Sequence, residues 1–370
     1  MDLELTDEQT WLSESIGTLL ARAWVPTERV ADADEGKRRQ VWDELVAFGA
    51  LAVGGEDGLG AVELCLIARD LGRRLAPAPF IASTAVRLAL EPFADELLVD
   101  GEGALAIALL EPGASWGARP FATTLRSGSN GFELSGEKTA VEFAERLAVL
   151  ATLEGQPALA LVSASAPGVG RREQPSFDET VPMGTVVFDG VVVPETAVLL
   201  GDAAGAAIER LMTIGALLAA AEAIGAAEAV LGDACRYAAE RRQFGRPIAS
   251  FQALRHILAD MYVRQASGWS TVLYAAAAFD DEAADASELA SVAKAYVSRG
   301  AREVAHGAMQ VFGGIAFTAE HPAHRFLRRI VVREQQFGDA GHHERRLGQA
   351  LAERLRTSEP TLMTAGAQAR

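Results

Sequence analysis

The 370-residue chain sets 34 lysines and arginines against 50 aspartates and glutamates, a formal charge of −16. That excess of acid excludes both a basic face able to neutralise nucleic-acid phosphates and a polybasic membrane anchor. With 49% hydrophobic and 23% charged residues, the composition is that of a folded chain with room for two or three packed units. Its two cysteines, Cys65 and Cys235, exclude a disulfide scaffold or a four-cysteine zinc site.

The opening MDLELTDEQTWL has no basic stretch followed by an apolar one, so no secretion signal is expected and a reducing cytoplasm is the expected compartment. The first hundred residues carry helical periodicity. Thr6 and Gln9 form a T-x-x-Q capping pattern, and Leu12, Ile16, Leu19 and Leu20 follow as one apolar stripe. VWDELVAFGALAV and AVELCLIARDLGRRLA repeat the period, each closed by glycine or proline signals.

From Ala104 the texture changes. ALAIALLEP, FATTLRSG, GFELSGEKTAV, LAVLATLEG, PALALVSAS and TVVFDGVVVP are short, alternating or β-branched runs punctuated by turns, which predicts a small all-β insert. After Pro194 the helical period returns over longer spans, 204–240, 250–280, 284–312 and 322–336. Ser250 is the expected N-cap of the second span, and Pro322 suits a first helical turn of the fourth. The alanine-rich run 215–231 reads as packing surface in a helix bundle. Its glutamates, and its length between them, argue against a bilayer span. SEPTLMTAGAQAR reads as a loose tail. The units expected are 1–103 helical, 104–198 β, 199–356 helical and 357–370 tail.

No G-x-G-x-x-G follows a predicted strand, and no P-loop or G-x-S-x-G elbow occurs. His321 and His324, and the pair His342 and His343 within QQFGDAGHH (335–343), have the look of metal ligands. No acid or cysteine stands at ligand spacing, so helix-surface or capping histidines, and no metal, are expected.

Two segments carry a resemblance. ERRQFGRPIASFQALRHILADMYV (240–263) resembles the acyl-CoA dehydrogenase signature around R-x-Q-F-G-x-P-I-x-x-F-Q, and QVFGGIAFTAEHPAHRFLRR (310–329) resembles the same family's Q-x-x-G-G-x-G segment and following helix. LLEPGAS, LSGEKTAVEFAE and VVFDGVVVPETAVLLG fall where that family's β-domain motifs belong. The resemblance implies an α+β fold with an N-terminal helical domain, a middle β-sandwich or barrel and a C-terminal four-helix bundle. It also implies FAD, whose pyrophosphate and adenosine end, held mainly by a neighbouring subunit, is clamped by these two segments. On that basis Arg241 pairs with phosphate oxygens. Phe244 packs beside the cofactor, Gln243, Gln252 and Gln310 donate amides, and Gly313 and Gly314 let backbone approach. Taken alone, RRQFGR reads better as a basic helix C-terminus satisfying its own dipole; the two segments together, in order, favour the FAD role.

Other family features are missing. The T-E-P-x-A-G-S loop that holds the flavin ring reads Leu110-Glu111-Pro112-Gly113-Ala114-Ser115-Trp116, and after Lys138 and Thr139 the W-x-T turn reads Ala140-Val141-Glu142. A carboxylate at 142 beside a flavin edge is expected to lack a partner. The Y-E-G-T motif, whose glutamate removes the α-proton of the acyl thioester, aligns with Gln336-Phe337-Gly338-Asp339, so Phe337 occupies the base position. The alternative base position of some relatives aligns with Gly215. Glu209 and Glu222 lie one to two turns away, and Asp339 is a fallback base two residues late. The pattern implies a non-catalytic-type subunit, resembling those of actinobacterial α2β2 assemblies that oxidise steroid side-chain thioesters. GLGAVELCLIARDLGRRLAPAPF resembles that branch as well. An acyl-CoA substrate, a second acyl-CoA dehydrogenase-like subunit and an electron-transfer flavoprotein as acceptor follow from the resemblance. A self-sufficient homotetramer using Asp339 and a flavin-free scaffold on the same fold remain as alternatives.

Overall fold

The computed structural model describes residues 4–24, 35–54, 58–93, 103–114, 116–117 and 119–358. The helical start holds α1 (Asp7–Ala23), α2 (Glu35–Phe48), α3 (Ala61–Arg74) and α4 (Phe80–Leu90). Thr6 and Gln9 form the expected capping box, and Leu12, Ile16, Leu19 and Leu20 are all buried. Gly60 is the N-cap of α3, and Asp280, 219 residues beyond Ala61, accepts from the Ala61 and Val62 N–H groups at 2.7 and 3.0 Å. That carboxylate supplies what a glycine N-cap cannot.

The β-domain is one mixed sheet of β1 (Leu105–Ala108), β2 (Thr124–Gly128), β3 (Gly131–Glu142), β4 (Arg146–Leu153), β5 (Gln156–Ser163), β6 (Val169–Gln174), β7 (Met183–Val193) and β8 (Val198–Leu200). The order is β6-β7-β3-β2-β4-β5-β8, with β1 laid parallel to the start of β4. Six of these strands coincide with the runs predicted above. Two do not. β6, VGRREQ, is almost wholly exposed, and β8 has three residues. Each exists because a neighbour offers a ladder, β7 for β6 and β5 for β8, and edge pairing leaves no apolar alternation to read.

The bundle follows: α5 (Gly201–Glu240), α6 (Gln252–Asp280), α7 (Ala286–Phe312), α8 (Ala323–Gln335) and α9 (Ala340–Ser358). α5 is the axis of the molecule. It packs on α3, α4, α6, α7 and α8, and glycine makes that approach possible. A Cβ on Gly72 of α3 would stand 2.0 Å from the Glu222 carbonyl oxygen, and one on Gly225 would stand 2.0 Å from the Arg69 carbonyl oxygen. At 40 residues α5 is long and apolar enough to cross a membrane, contrary to the expectation from its glutamates, but 89% of its apolar window is buried within the protein. It is a core helix. Ser250 is not the α6 cap: Phe251 holds that position without a side-chain bond, and the Ser250 hydroxyl is buried without a partner. Pro322 is the N-cap residue of α8, one position before its first turn. Ser115 and the tail beyond Ser358 lie outside the described residues.

Candidate active-site cleft and cofactor clamp

The two signature segments meet at one end of the bundle. α5 stops at Glu240, and the chain turns back in a hairpin, β9 (Arg242–Gln243) against β10 (Arg246–Pro247). Phe244 and Gly245, at φ 51° and 80°, form its two-residue tip, the left-handed pair that a tight antiparallel turn requires. The Phe244 ring is 91% exposed. It touches only the edge of Phe251, 6.1 Å between centroids, while the Arg246 guanidinium covers the same ring at 4.2 Å. Arg241, Gln243 and Gln252 are exposed beside it.

α7 ends at the same level, because Tyr237 in the last turn of α5 packs edge-on against Phe312 at 5.3 Å. Gln310 is exposed there. Gly313 caps α7 at φ 68°, and a Cβ on Gly313 or Gly314 would meet nothing. Bare backbone therefore faces outward between Gln310 and the exposed Ile315 and Phe317. The structure thus brings the predicted clamp residues to one outward-facing surface.

The cleft lies at the other end of α8, which at 13 residues spans about 20 Å. A cavity of about 280 Å³ opens between the sheet, α4 and the end of α8, walled by Leu110, Trp116, Ala140, Glu142, Gln336 and Phe337 among others. Beyond Trp116 a second, polar cavity of about 490 Å³ is lined by Glu111, Arg119, Glu209, His342, Arg345 and Arg346. Leu109, Leu110 and Trp116 form the partition.

Glu111 shapes that partition. Its carboxylate accepts from the Ala122 and Thr123 N–H groups at 2.8 and 2.7 Å and from Lys138 Nζ at 2.9 Å. Burial alone would raise its pKa, but these donors hold it down at about 2. Lys138 is fully buried, which pushes it to about 8 in spite of Glu111, and its ammonium also donates to the Leu109 carbonyl.

QQFGDAGHH is the hinge from α8 to α9. Phe337 and Gly338 take φ 58° and 101°. A Cβ on Gly338 would stand 2.6 Å from His342 and 2.9 Å from His343, so the position has no room for a side chain. The Phe337 ring is buried against Gly215 of α5, where an added Cβ would fall 2.3 Å from Cε1. The two positions at which the resemblance places a base are therefore in contact, and neither holds an acid. Asp339 does not line either cavity; its carboxylate accepts from the His342 N–H at 2.7 Å and caps α9.

The histidines act as structure. Burial drives the His343 pKa down to about 3, so the ring is neutral and its Nε2–H donates to the Phe337 carbonyl at 3.0 Å. Lys294 of α7, pushed down to about 7 by burial, donates to the last carbonyls of α8, Arg333 and Glu334. His321 Nδ1 accepts from the Ala323 N–H at the start of α8. Among the described residues no cluster of three or more possible ligands forms a metal site.

Sequence reasoning missed the charges behind the cleft. Glu142 does have partners: Arg333 Nη1 at 2.8 Å and Gln336 Nε2 at 2.9 Å. Arg333 also stands 3.1 Å from Glu222, which binds Arg329. Burial opposes the charge on Arg333, but Glu222 and Glu142 raise its pKa overall. The carboxylates lining the two cavities are Glu142, Glu111 and Glu209, and each is already paired, with Arg333, Lys138 and Arg346.

Comparison with known proteins is consistent with this layout. Residues 204–352 match the model of the acyl-CoA dehydrogenase C-terminal domain. Benzylmalonyl-CoA dehydrogenase of Aromatoleum aromaticum is 29% identical over 357 residues, 89% of this chain and 94% of that protein. The chain belongs to the acyl-CoA dehydrogenase family. The ChsE4-ChsE5 complex from Mycobacterium tuberculosis superposes with a TM-score of 0.84 at 26% identity, covering 95% of this chain and 99% of that one. A variant of the Tcur3481-Tcur3483 steroid ACAD gives 0.84 at 29%, with the same coverage. Members of this family are FAD-dependent oxidoreductases acting on CH–CH bonds.

The clamp end fits part of such a cofactor, since a permanent guanidinium and unobstructed glycine backbone suit phosphate oxygens. The cleft does not fit the ring. On its wall Gln336 is bound to Glu142 and the Thr139 N–H to the Leu110 carbonyl, and behind it Arg333 and Lys138 are bound to carboxylates. That leaves the partnerless Ser176 hydroxyl, and Trp116 divides the space.

Proposed function

We propose that this chain is the clamping subunit of a heteromeric, FAD-dependent acyl-CoA dehydrogenase. It lacks a base of its own and holds part of an FAD whose ring sits in a neighbouring subunit. The observation that carries this reading is the Phe337–Gly215 contact together with the pairing of Glu142, Glu111 and Glu209, the carboxylates on the walls of the cleft and of the polar cavity beyond Trp116. Abstraction of the α-proton needs an available carboxylate within hydrogen-bond reach of that carbon, and the carboxylate on the cleft wall, Glu142, is held by Arg333 and Gln336. The outward clamp supports the second half. Its exposed Phe244 and Phe317 are large apolar groups of the kind that a subunit contact covers, and α8 separates them from the chain's own cleft.

When bound in the partner, the flavin would accept hydride from the β-carbon of the acyl thioester. This chain's part is to fix the cofactor: Arg241 at the phosphates, Gln243, Gln252 and Gln310 as amide donors, Gly313 and Gly314 as bare backbone, and Phe244 as the packing face. The partner is a second acyl-CoA dehydrogenase-like chain in an α2β2 assembly. Two likenesses support it, one to a structure described as a complex of two named proteins and one to a paired steroid ACAD. A steroid side-chain thioester is the acyl-CoA we favour, with an electron-transfer flavoprotein as acceptor and the cytoplasm as compartment. Asp339 does not support a self-sufficient enzyme, because its carboxylate is committed to capping α9.

The test is Arg241→Ala in the co-purified complex. A charge-assisted phosphate contact contributes about 1.5–3 kcal/mol, so flavin retention should fall by roughly tenfold or more while this chain stays folded. Unchanged flavin content would remove Arg241 from the clamp. A complex that holds no flavin even in wild-type form would leave a binding or scaffolding role on the same fold.

A further inference from the structure

Four buried charged residues and the half-buried Glu142 form a row of alternating sign: Asp178, Arg329, Glu222, Arg333 and Glu142. Arg329 and Arg333 are 0% and 1% exposed. The ladder starts in the loop before β7, crosses α8 to α5, returns to α8 and ends on β3. Arg329 also donates to the Leu75 and Ala76 carbonyls just after α3, at 3.3 Å each. All three parts of the molecule are therefore tied through one row of charges. A buried ion that loses its partner is strongly unfavourable, so the row is mutually enforcing: each guanidinium holds two carboxylates in place.

The free end of the row matters most. Glu142 reaches across the cleft from β3, and Arg333 Nη1 and Gln336 Nε2 of the α8 end meet it at 2.8 and 2.9 Å. This contact joins sheet to bundle along the cavity wall and engages the Gln336 amide, a side-chain donor on that wall. Trp116 then separates what remains from the polar cavity beyond it.

Resting on the proposed clamping role, we infer that the Glu142–Arg333–Gln336 contact, anchored by the ladder and backed by Trp116, is a latch that shuts this chain's own cleft against flavin. Glu142 is the residue that decides. Replacing it with a small neutral residue frees the Gln336 amide N–H on the cavity wall, while Arg333 keeps both Glu222 and the Gln336 Oε1. Removing Trp116 joins cavities of about 280 and 490 Å³.

The experiment uses the full chain purified alone, as wild type, Glu142→Gln, Glu142→Ser and Glu142→Ser/Trp116→Ala. Each is checked for native helix content by circular dichroism and titrated with FAD, with flavin fluorescence quenching and flavin retained through gel filtration as readouts. Glu142→Gln keeps the volume of the side chain and much of its bonding, and so reports on folding apart from opening. The latch predicts negligible retention by wild type and by Glu142→Gln. It predicts at least about tenfold tighter binding by the double variant, equivalent to one charge-assisted hydrogen bond gained. Wild-type chain that takes up FAD as tightly as the double variant would overturn it. So would a folded double variant with no gain. The flavin content of the complex with and without Arg241→Ala is measured in parallel. Loss there combined with no gain here defeats the latch alone and leaves the clamping role standing.

Discussion

Gly215 and Phe337 make one physical unit, although 122 positions separate them. A Cβ at 215 would lie 2.3 Å from the Phe337 ring, inside contact distance, and Phe337 sits at φ 58° on a hinge with little freedom to retreat. Gly215→Ala should therefore destabilise the chain by about 1–3 kcal/mol, against the roughly 1 kcal/mol gain that alanine brings to a helix interior. Adding Phe337→Ala should remove most of the clash, leaving a non-additive double-mutant cycle measured by urea unfolding. Additive effects, or a Gly215→Ala chain more stable than wild type, would place the ring elsewhere. The identities of both residues were legible in the sequence through motif spacing. Their contact was not, since nothing local couples a helix-interior glycine to a loop phenylalanine. Glu142 shows the opposite gap: its position was legible, but its partner Arg333 lies 191 residues away, and an unpaired acid was the wrong expectation.

The joint between α8 and α9 is held from two neighbouring elements, by Lys294 of α7 on the last α8 carbonyls and by His343 of α9 on the Phe337 carbonyl. His343 is 3% exposed, and burial lowers its pKa from the ordinary 6.5 to about 3. The unfolded chain thus binds a proton below pH 6.5 that the native chain refuses. Stability should fall as pH drops from about 6.5 toward 3, by at most about 1.4 kcal/mol per pH unit from this group. His343→Gln keeps an amide donor for the Phe337 carbonyl and removes the titration. The difference between the two chains' unfolding free energies should accordingly narrow or reverse on acidification from pH 6.5 to 4.5. Parallel profiles would mean that His343 is protonated in the native state. Elements of this kind divide cleanly in what the sequence reveals. α1, with its capping box and four-residue stripe, could be drawn in advance. α8 could be placed but not understood, because Arg329 and Arg333 on one helix suggest a solvated basic face, and only the distant acids Asp178, Glu222 and Glu142 make their burial tolerable. β6 left no sign at all, because its pairing with β7 rather than its own pattern defines it.

At the scale of the whole molecule, the order of helices, sheet and bundle followed from texture alone, since periodicity switches from 3.6 to 2 and back. What lay beyond reach was the direction in which each site faces. The predicted clamp residues face outward near one end of α8, while the chain's own cleft lies at the other. On the reading proposed above, a molecule built this way supplies half of a cofactor site that another chain completes. Flavin stoichiometry tests that account most directly, measured by absorbance on the chain purified alone and on the complex co-purified from its native host. The account predicts no flavin on the isolated chain and one FAD for each unlike pair of subunits in the complex. An isolated chain that carries one FAD per subunit, and whose flavin bleaches when an acyl-CoA is added under anaerobic conditions, would contradict it.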